Sequence, residues 1–242
     1  MTAVSERARL PGIWPDDPER ARALQERLAP EVRVEPLDAG AVRLAAGLDV
    51  SYAPGEDRLV AAAVVLSLPD LRVVESATAD AAPAFPYVPG LFAFRELPPL
   101  LEAVGRLTVE PDVYVCDGFG LAHPRRFGLA CHLGWLLDRP AIGVGKSPFV
   151  GSAGDPGRER GGRAPLVAED GAEVGCALRT RTGVRPVYVS VGHRADLEGA
   201  ADLVLRLTPE YRLPETVRRA DRLSRDRLKR IARPSDAGNR SF

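Results

Sequence analysis

The chain has 242 residues, with 33 basic and 33 acidic side chains and a formal net charge of zero. That balance argues against a generally sticky binder of polyanions. Three cysteines, Cys116, Cys131 and Cys176, with no CxxC pair, argue against a disulfide framework and a thiolate zinc site.

The length fits one domain, read as residues 1–234, with 235–242 an expected disordered tail. The charged N-terminus "MTAVSERARL" has no apolar core of a signal peptide. The longest apolar run, "LVAAAVVLSL", falls short of the ~20 residues that cross a bilayer. The expectation is a cytoplasmic protein with no membrane contact.

In chain order, residues 17–29 read as a helix capped by Asp17 before Pro18. Three strand-like runs follow at 42–52, 58–68 and 72–80. Their connections are short, which predicts an antiparallel meander. The stretch "FPYVPGLFAFREL" (85–97) sets Tyr87 between two prolines on a stiff loop. After the loop comes a short helix ending at Glu96, and then a second helix opened by the prolines of "PPLLEAVGRL". A strand over 112–118 ends in Asp117, a helix spans 124–138, and a buried strand spans 140–145. Residues 151–163 read as a loop by composition. A strand pair at 173–181 and 186–193 and two final helices at 195–207 and 213–232 complete the chain. The order predicts α/β architecture with a mixed sheet.

Two phosphate-loop patterns fail. "GVGKS" lacks the first glycine of a Walker loop, because position 140 is proline, and "GFGLAH" ends in His123 where glycine or alanine is needed. The carboxylates say more. Asp49 sits in an apolar strand and needs a partner. Asp117 ends a strand, where sites on α/β sheets gather. Two such carboxylates brought together repel unless a cation lies between them, and hard oxygen ligands favour Mg²⁺ or Mn²⁺. Glu96 reads either as a surface partner of Arg95 or Arg126 or as a third carboxylate acting as ligand or base. His123, Arg125 and Arg126 at a helix start would oppose its dipole and invite an anion, or form a solvated basic turn. Lys146 is one of only two lysines, and it follows a buried strand. His193 reads as equally suited to a structural role. From Arg218 to Arg233 eight basic residues face two acidic ones, a local net charge of +6.

Taken together, "GLDVSY", "FPYVPGLFAFRE", "DGFGLAHPRRFGLACHLGWLLDRPAIGVGKS", "SVGHR" and "YRLPE" resemble the endonuclease V family over about residues 18–222. The resemblance implies an RNase H-like fold and an endonuclease that needs Mg²⁺ or Mn²⁺. Such an enzyme recognises deoxyinosine and cuts the second phosphodiester bond 3′ to it, in DNA and in some members RNA. It implies Asp49 and Asp117 as metal ligands, Glu96 as the third acid, Lys146 at the attacking water or scissile phosphate and His123 near the phosphate. Tyr87 would be a wedge, and Gly90, Phe92, Gly118, Gly128 and Leu129 would line the base pocket. Arg125 and Arg126 would contact the nucleic acid, and the protein would act as a monomer. Position 119 departs from the pattern, with Phe where a small or polar residue is expected. So does "LPETVRRAD", which leaves the part played by Asp221 open. A nuclease of the same fold acting on branched or flap substrates, and a non-catalytic lesion binder, are the alternative readings.

Overall fold

A computed structural model describes residues 14–54 and 58–232. The expected tail at 235–242 and the first ten residues lie outside this range. The core is a nine-stranded sheet in the order β3-β2-β1-β4-β5-β9-β8-β7-β6. β1 (Leu44–Tyr52), β2 (Leu59–Ser67) and β3 (Val73–Ala81) form the expected antiparallel meander, with Leu44 opposite Ser67 and Tyr52 opposite Leu59. β4 (Val113–Asp117) and β5 (Ala141–Gly145) then add in parallel to β1. β9 (Val187–His193), β8 (Glu173–Leu178), β7 (Arg163–Val167) and β6 (Ser152–Ala153) extend the sheet antiparallel. The fold class is the mixed α/β sheet that the residue pattern predicts.

Helices cover both faces. α1 (Pro18–Leu28), α2 (Ala93–Gly105) and α3 (Leu129–Leu137) pack on one apolar layer, and α4 (Leu197–Arg206) and α5 (Glu215–Ala232) on the other. α1 starts where the Asp17 carboxylate accepts hydrogen bonds from the Glu19 and Arg20 N–H groups, each at 2.9 Å. It buries Ala21, Leu24, Gln25 and Leu28, one stripe at helical spacing. α5 crosses β1 closely because Gly47 has no side chain: a Cβ there would lie 2.1 Å from the Thr216 carbonyl carbon.

Three local expectations are corrected. The two short helices expected around Glu96 are one helix, α2, with Pro98 and Pro99 inside it. Glu96 therefore sits in the first turn of α2 instead of closing a helix. The prolines leave the Phe94 and Arg95 carbonyls without their helical N–H donors, but burial of Phe94, Leu97, Leu100 and Leu101 holds the helix together. The helix expected over 124–138 begins only at Leu129, because Arg126 adopts a left-handed backbone (φ 53) and Gly128 an extended one. Arg125 and Arg126 thus lie before the helix, and the expected conflict with its dipole does not arise. Finally, β6 lies within the loop expected at 151–163, and β7 begins at its last residue and continues through a stretch that the sequence reading left unassigned. "RAPLV" alternates exposed and buried residues, and its Pro165 lies beyond the two-residue pairing with β6, where no N–H is required.

Candidate active site

The parallel strands β1, β4 and β5 end together on one edge of the sheet. Leu48 pairs with Cys116, so the next residues along, Asp49 and Asp117, lie side by side, and Lys146 directly follows β5. Lys146 Nζ donates to Asp117 Oδ2 at 2.6 Å. Asp49 is 8% exposed, and its Oδ2 accepts a 2.9 Å hydrogen bond from Ser224 on α5. Glu96 reaches the same edge from the opposite helical layer and accepts from the Tyr52 hydroxyl at 3.1 Å. The Arg95 guanidinium lies 5.1 Å from the centre of the Tyr52 ring.

These groups share one field. Burial pushes the Asp49 carboxyl up to about 6, and the neighbouring charges of Asp117 and Asp221 push the same way against the Ser224 bond and Lys146. Burial likewise lifts Glu96 to about 8; the Tyr52 bond and Arg95 work against it, and Asp49 and Asp117 add to it. Burial opposes charge on Lys146, but the hydrogen bond and charge of Asp117, with Asp49 and Asp221 behind, raise it. Among the described residues no three His, Cys, Asp or Glu side chains are already drawn into a closed ligand set. Each carboxylate leans on a protein donor instead. The set nevertheless suits a hard divalent cation: its donors are carboxylate oxygens, and the charge of Asp117 raises the proton affinity of both Asp49 and Glu96, which a cation would relieve. A 600 Å³ cleft opens here, lined by Asp49, Tyr52, Asp117, Lys146, Asp221 and Arg225 among others. A larger groove of 970 Å³ lies between β3 and the first turns of α5 and shares only Asp221 with it.

The loop carrying Tyr87 is fixed at both ends. Phe85 is 3% exposed, and its carbonyl accepts from Arg95 Nη1 at 2.8 Å. Val88, Pro89, Gly90 and Leu91 form a tight turn closed by Leu91 N–H on the Val88 carbonyl at 2.9 Å. Proline fits its second position, and Gly90, at φ 79, supplies the left-handed third. Tyr87 stands out from this frame at 76% exposure.

The Gly90 carbonyl accepts three hydrogen bonds, from His123 Nε2 at 2.9 Å, Arg125 Nη2 at 3.0 Å and Gln25 Nε2 at 3.1 Å. His123 is buried. Its Nδ1 accepts from the Arg125 N–H, so the neutral Nε2–H tautomer fits both bonds. Burial lowers it to about 4, against the Gly90 bond and together with Arg125 and Arg126. Gln25 also donates to the Phe127 carbonyl at 3.0 Å and accepts from Arg125 Nε at 2.7 Å.

The remaining candidates divide. Gly118, Phe92 and Leu129 meet: a Cβ on Gly118 would lie 3.5 Å from the Leu129 side chain and 3.6 Å from the Phe92 ring. Gly128 abuts the Phe119 carbonyl, 2.3 Å from where its Cβ would be. Arg126 stands apart, held by both oxygens of Asp170 at 2.7 and 2.8 Å. His193 is buried, and its Nδ1 accepts from the Arg33 N–H at 3.3 Å. On α5, Arg218 and Arg219 pair with Glu215, Arg225 with Asp221 and Arg227 with Asp80. Much of that helix's positive charge is therefore matched locally.

Gln25, Tyr52 and Ser224 escaped the sequence reading. Gln25 left a usable signal, a polar residue in the apolar stripe of α1. Tyr52, three residues after Asp49, left a weaker one. Ser224 lies 175 residues from its carboxylate and left none.

The Endonuclease V family model matches residues 26–222. The Endonuclease V of Streptomyces avermitilis is 54% identical over 231 residues, covering 95% of this chain and 98% of its own. A crystal structure of Endonuclease V from that organism matches with a TM-score of 0.88 at 53% identity, covering 91% of this chain and 96% of the other. Ciona intestinalis Endonuclease V, crystallised with a 24mer DNA containing an inosine followed by a ribo-adenosine, matches at 0.75 and 29% identity, over 86% and 96% of the two chains. With a family match across most of its length, this chain belongs to the Endonuclease V family.

Proposed function

We propose that this chain is a DNA repair endonuclease that recognises deoxyinosine and hydrolyses the second phosphodiester bond 3′ to it. The products are a 3′-hydroxyl and a 5′-phosphate. The observation that carries the reading is the register of Asp49 beside Asp117, with Lys146 on Asp117 and Glu96 in the same field. The Ciona relative in complex with inosine-containing DNA supports the substrate class.

Asp49 and Asp117 would hold Mg²⁺, or Mn²⁺ in its place, with Glu96 completing the set. A cation bound there supplies charge neutralisation at the phosphate and favours ionisation of a nearby water. Glu96 would serve as a ligand through water or as the general base for the attacking water. Lys146 keeps a positive charge beside Asp117 and steadies the charge that builds on the phosphate.

Tyr87, exposed on its stiff loop, fills the gap left by the extruded nucleotide. Opening the duplex costs a few kcal/mol, least for a weakly paired base. The base enters beside Gly90, Phe92, Gly118, Gly128 and Leu129. Backbone groups there accept hypoxanthine, whereas adenine would leave buried partners unmatched. His123 and Arg125 hold the Gly90 carbonyl, and Arg125 and Arg126 face the nucleic acid near the phosphate. We read the protein as a monomeric single domain that also accepts inosine-containing RNA. Its three free, buried cysteines suit the reducing cytoplasm.

The test is nicking of matched inosine-containing DNA and RNA, undamaged DNA and branched DNA, with Mg²⁺ and with Mn²⁺. Wild-type protein nicks the inosine strands, and Asp117→Ala binds them without cutting. Wild-type nicking by Asp117→Ala removes the metal assignment. Stronger cutting of undamaged branched DNA moves the protein to a structure-specific nuclease of the same fold.

A further inference from the structure

Phe119 replaces the small or polar residue expected after "DG", and the structure gives it a partner. Phe119 lies just past the end of β4, two residues after Asp117. Phe149 lies just past the end of β5, three residues after Lys146. The two rings stack, with centroids 5.9 Å apart and planes 24° apart. Phe119 is anchored. It packs on the small apolar cluster around Ala122 and Leu166. It also lies so close over Gly145 that a Cβ there would meet its ring at 2.4 Å. Phe149 is the presented member, 37% exposed, within the exposed stretch that begins at Lys146. Its ring is 5.7 Å from that of His123, and its tip is 3.8 Å from where a Cβ on Gly90 would be.

The Phe149 ring therefore reaches from the loop that begins at Lys146, beside the proposed cutting site, to the Gly90 turn, where the lesion enters. If the cut falls at the second bond 3′ to the lesion, one nucleotide must bridge that interval. We propose that Phe149, held flat by Phe119, is a stacking platform for the base immediately 3′ to the inosine. This rests on the deoxyinosine reading above. In a duplex that base is held by its own pair. In a single strand it has no partner, and an aromatic face accepts any base, purines more strongly. The platform makes Phe149 a positioning residue that matters most on single-stranded substrates.

The test uses single-stranded and duplex DNA with adenine, cytosine or an abasic residue 3′ to inosine. Phe149→Ala should raise KM on the single-stranded adenine substrate about tenfold, with kcat nearly unchanged and a smaller effect in duplex. Phe149→Tyr should restore wild-type behaviour, and Phe149→Leu, apolar but not flat, should not. On the abasic neighbour, wild type and Phe149→Ala should become equal. A Phe149→Ala effect below twofold, rescue by leucine, or an undiminished effect opposite the abasic residue overturns the platform while leaving the activity standing. Wild-type protein that nicks no inosine strand overturns the activity, and the platform with it.

Discussion

The two polar regions flanking the parallel strand ends are built on opposite principles. Around Gly90 the buried polar atoms are matched: one carbonyl takes three donors, Gln25 uses both ends of its amide, and His123 uses both ring nitrogens. Around Asp49 and Asp117 the groups are set against each other: Asp117 and Asp221 raise Asp49, Asp49 and Asp117 raise Glu96, and Lys146 offsets the rise at Asp49 only in part. The first region spends its hydrogen bonds on holding a shape. The second leaves a negative charge imbalance that a cation or a phosphate–cation pair can resolve. Rigidity and reactivity are thus kept in adjacent but separate networks.

The sharpest way to break this comparison is to remove Lys146. Lys146→Met should lower nicking by about 100- to 1000-fold, the scale of a lost preorganised charge. The same change should tighten divalent-cation binding, because Asp117 loses its competing ammonium. Calorimetric titration of the metal alone checks this, and weaker metal binding would show that Lys146 orders the carboxylates instead of opposing the cation.

The second prediction concerns pH. Asp49 and Glu96 have folded-state values above their ordinary ones, so the folded protein binds protons more tightly than the unfolded chain. Their contribution to stability is therefore full below about pH 4 and is lost as pH rises toward 8. His123 and His132 have lowered values, about 4 and about 3, through burial, and act in the opposite sense below pH 6.5. The Asp49 share is largely lost by about pH 6.5, so between pH 6.5 and 8 the loss comes mainly from Glu96. In chelator the melting temperature should fall across that window, by about 2–4 °C per kcal/mol lost, and added Mg²⁺ should raise it more at pH 8 than at pH 6.5. A metal effect independent of pH would separate the cation from these carboxylates.

Gln25→Leu tests the matched region. It strips one donor from the Gly90 carbonyl and the acceptor from Arg125, and should cost about 1–3 kcal/mol in denaturant unfolding, with metal affinity unchanged. Coupled loss of metal binding would mean that the two networks are one. The smallest effect on stability belongs to Tyr87→Ala. A side chain this exposed should change unfolding by less than about 0.5 kcal/mol, while binding of inosine-containing duplex weakens.

Much of this was legible in the chain. Apolar strand-like runs and short connections gave the meander, and Asp117 was visible because it ends an apolar strand. The two prolines and Gly90 announced the turn that presents Tyr87. What stayed hidden depended on long-range approach. Pro98 and Pro99 read locally as a helix start, yet burial of the α2 apolar face carries one helix through them. "HPRRFG" read as a first helical turn, yet the left-handed Arg126 breaks it. Ser224 could not be assigned to Asp49, because nothing local marks which carboxylate a serine on a basic helix will meet.

The approach of α5 to β1 at Gly47 also sets an order of assembly. Asp49 leaves the ribosome early, Asp117 and Lys146 follow, and Ser224 arrives within the last helix. A nascent chain that has not yet reached Glu215 has its carboxylates but neither the hydroxyl that holds Asp49 nor the helix that walls one side of the cleft. The assembled cleft therefore requires the chain through α5, and a product interrupted before Glu215 carries the acidic residues without Ser224 or the helix beside them.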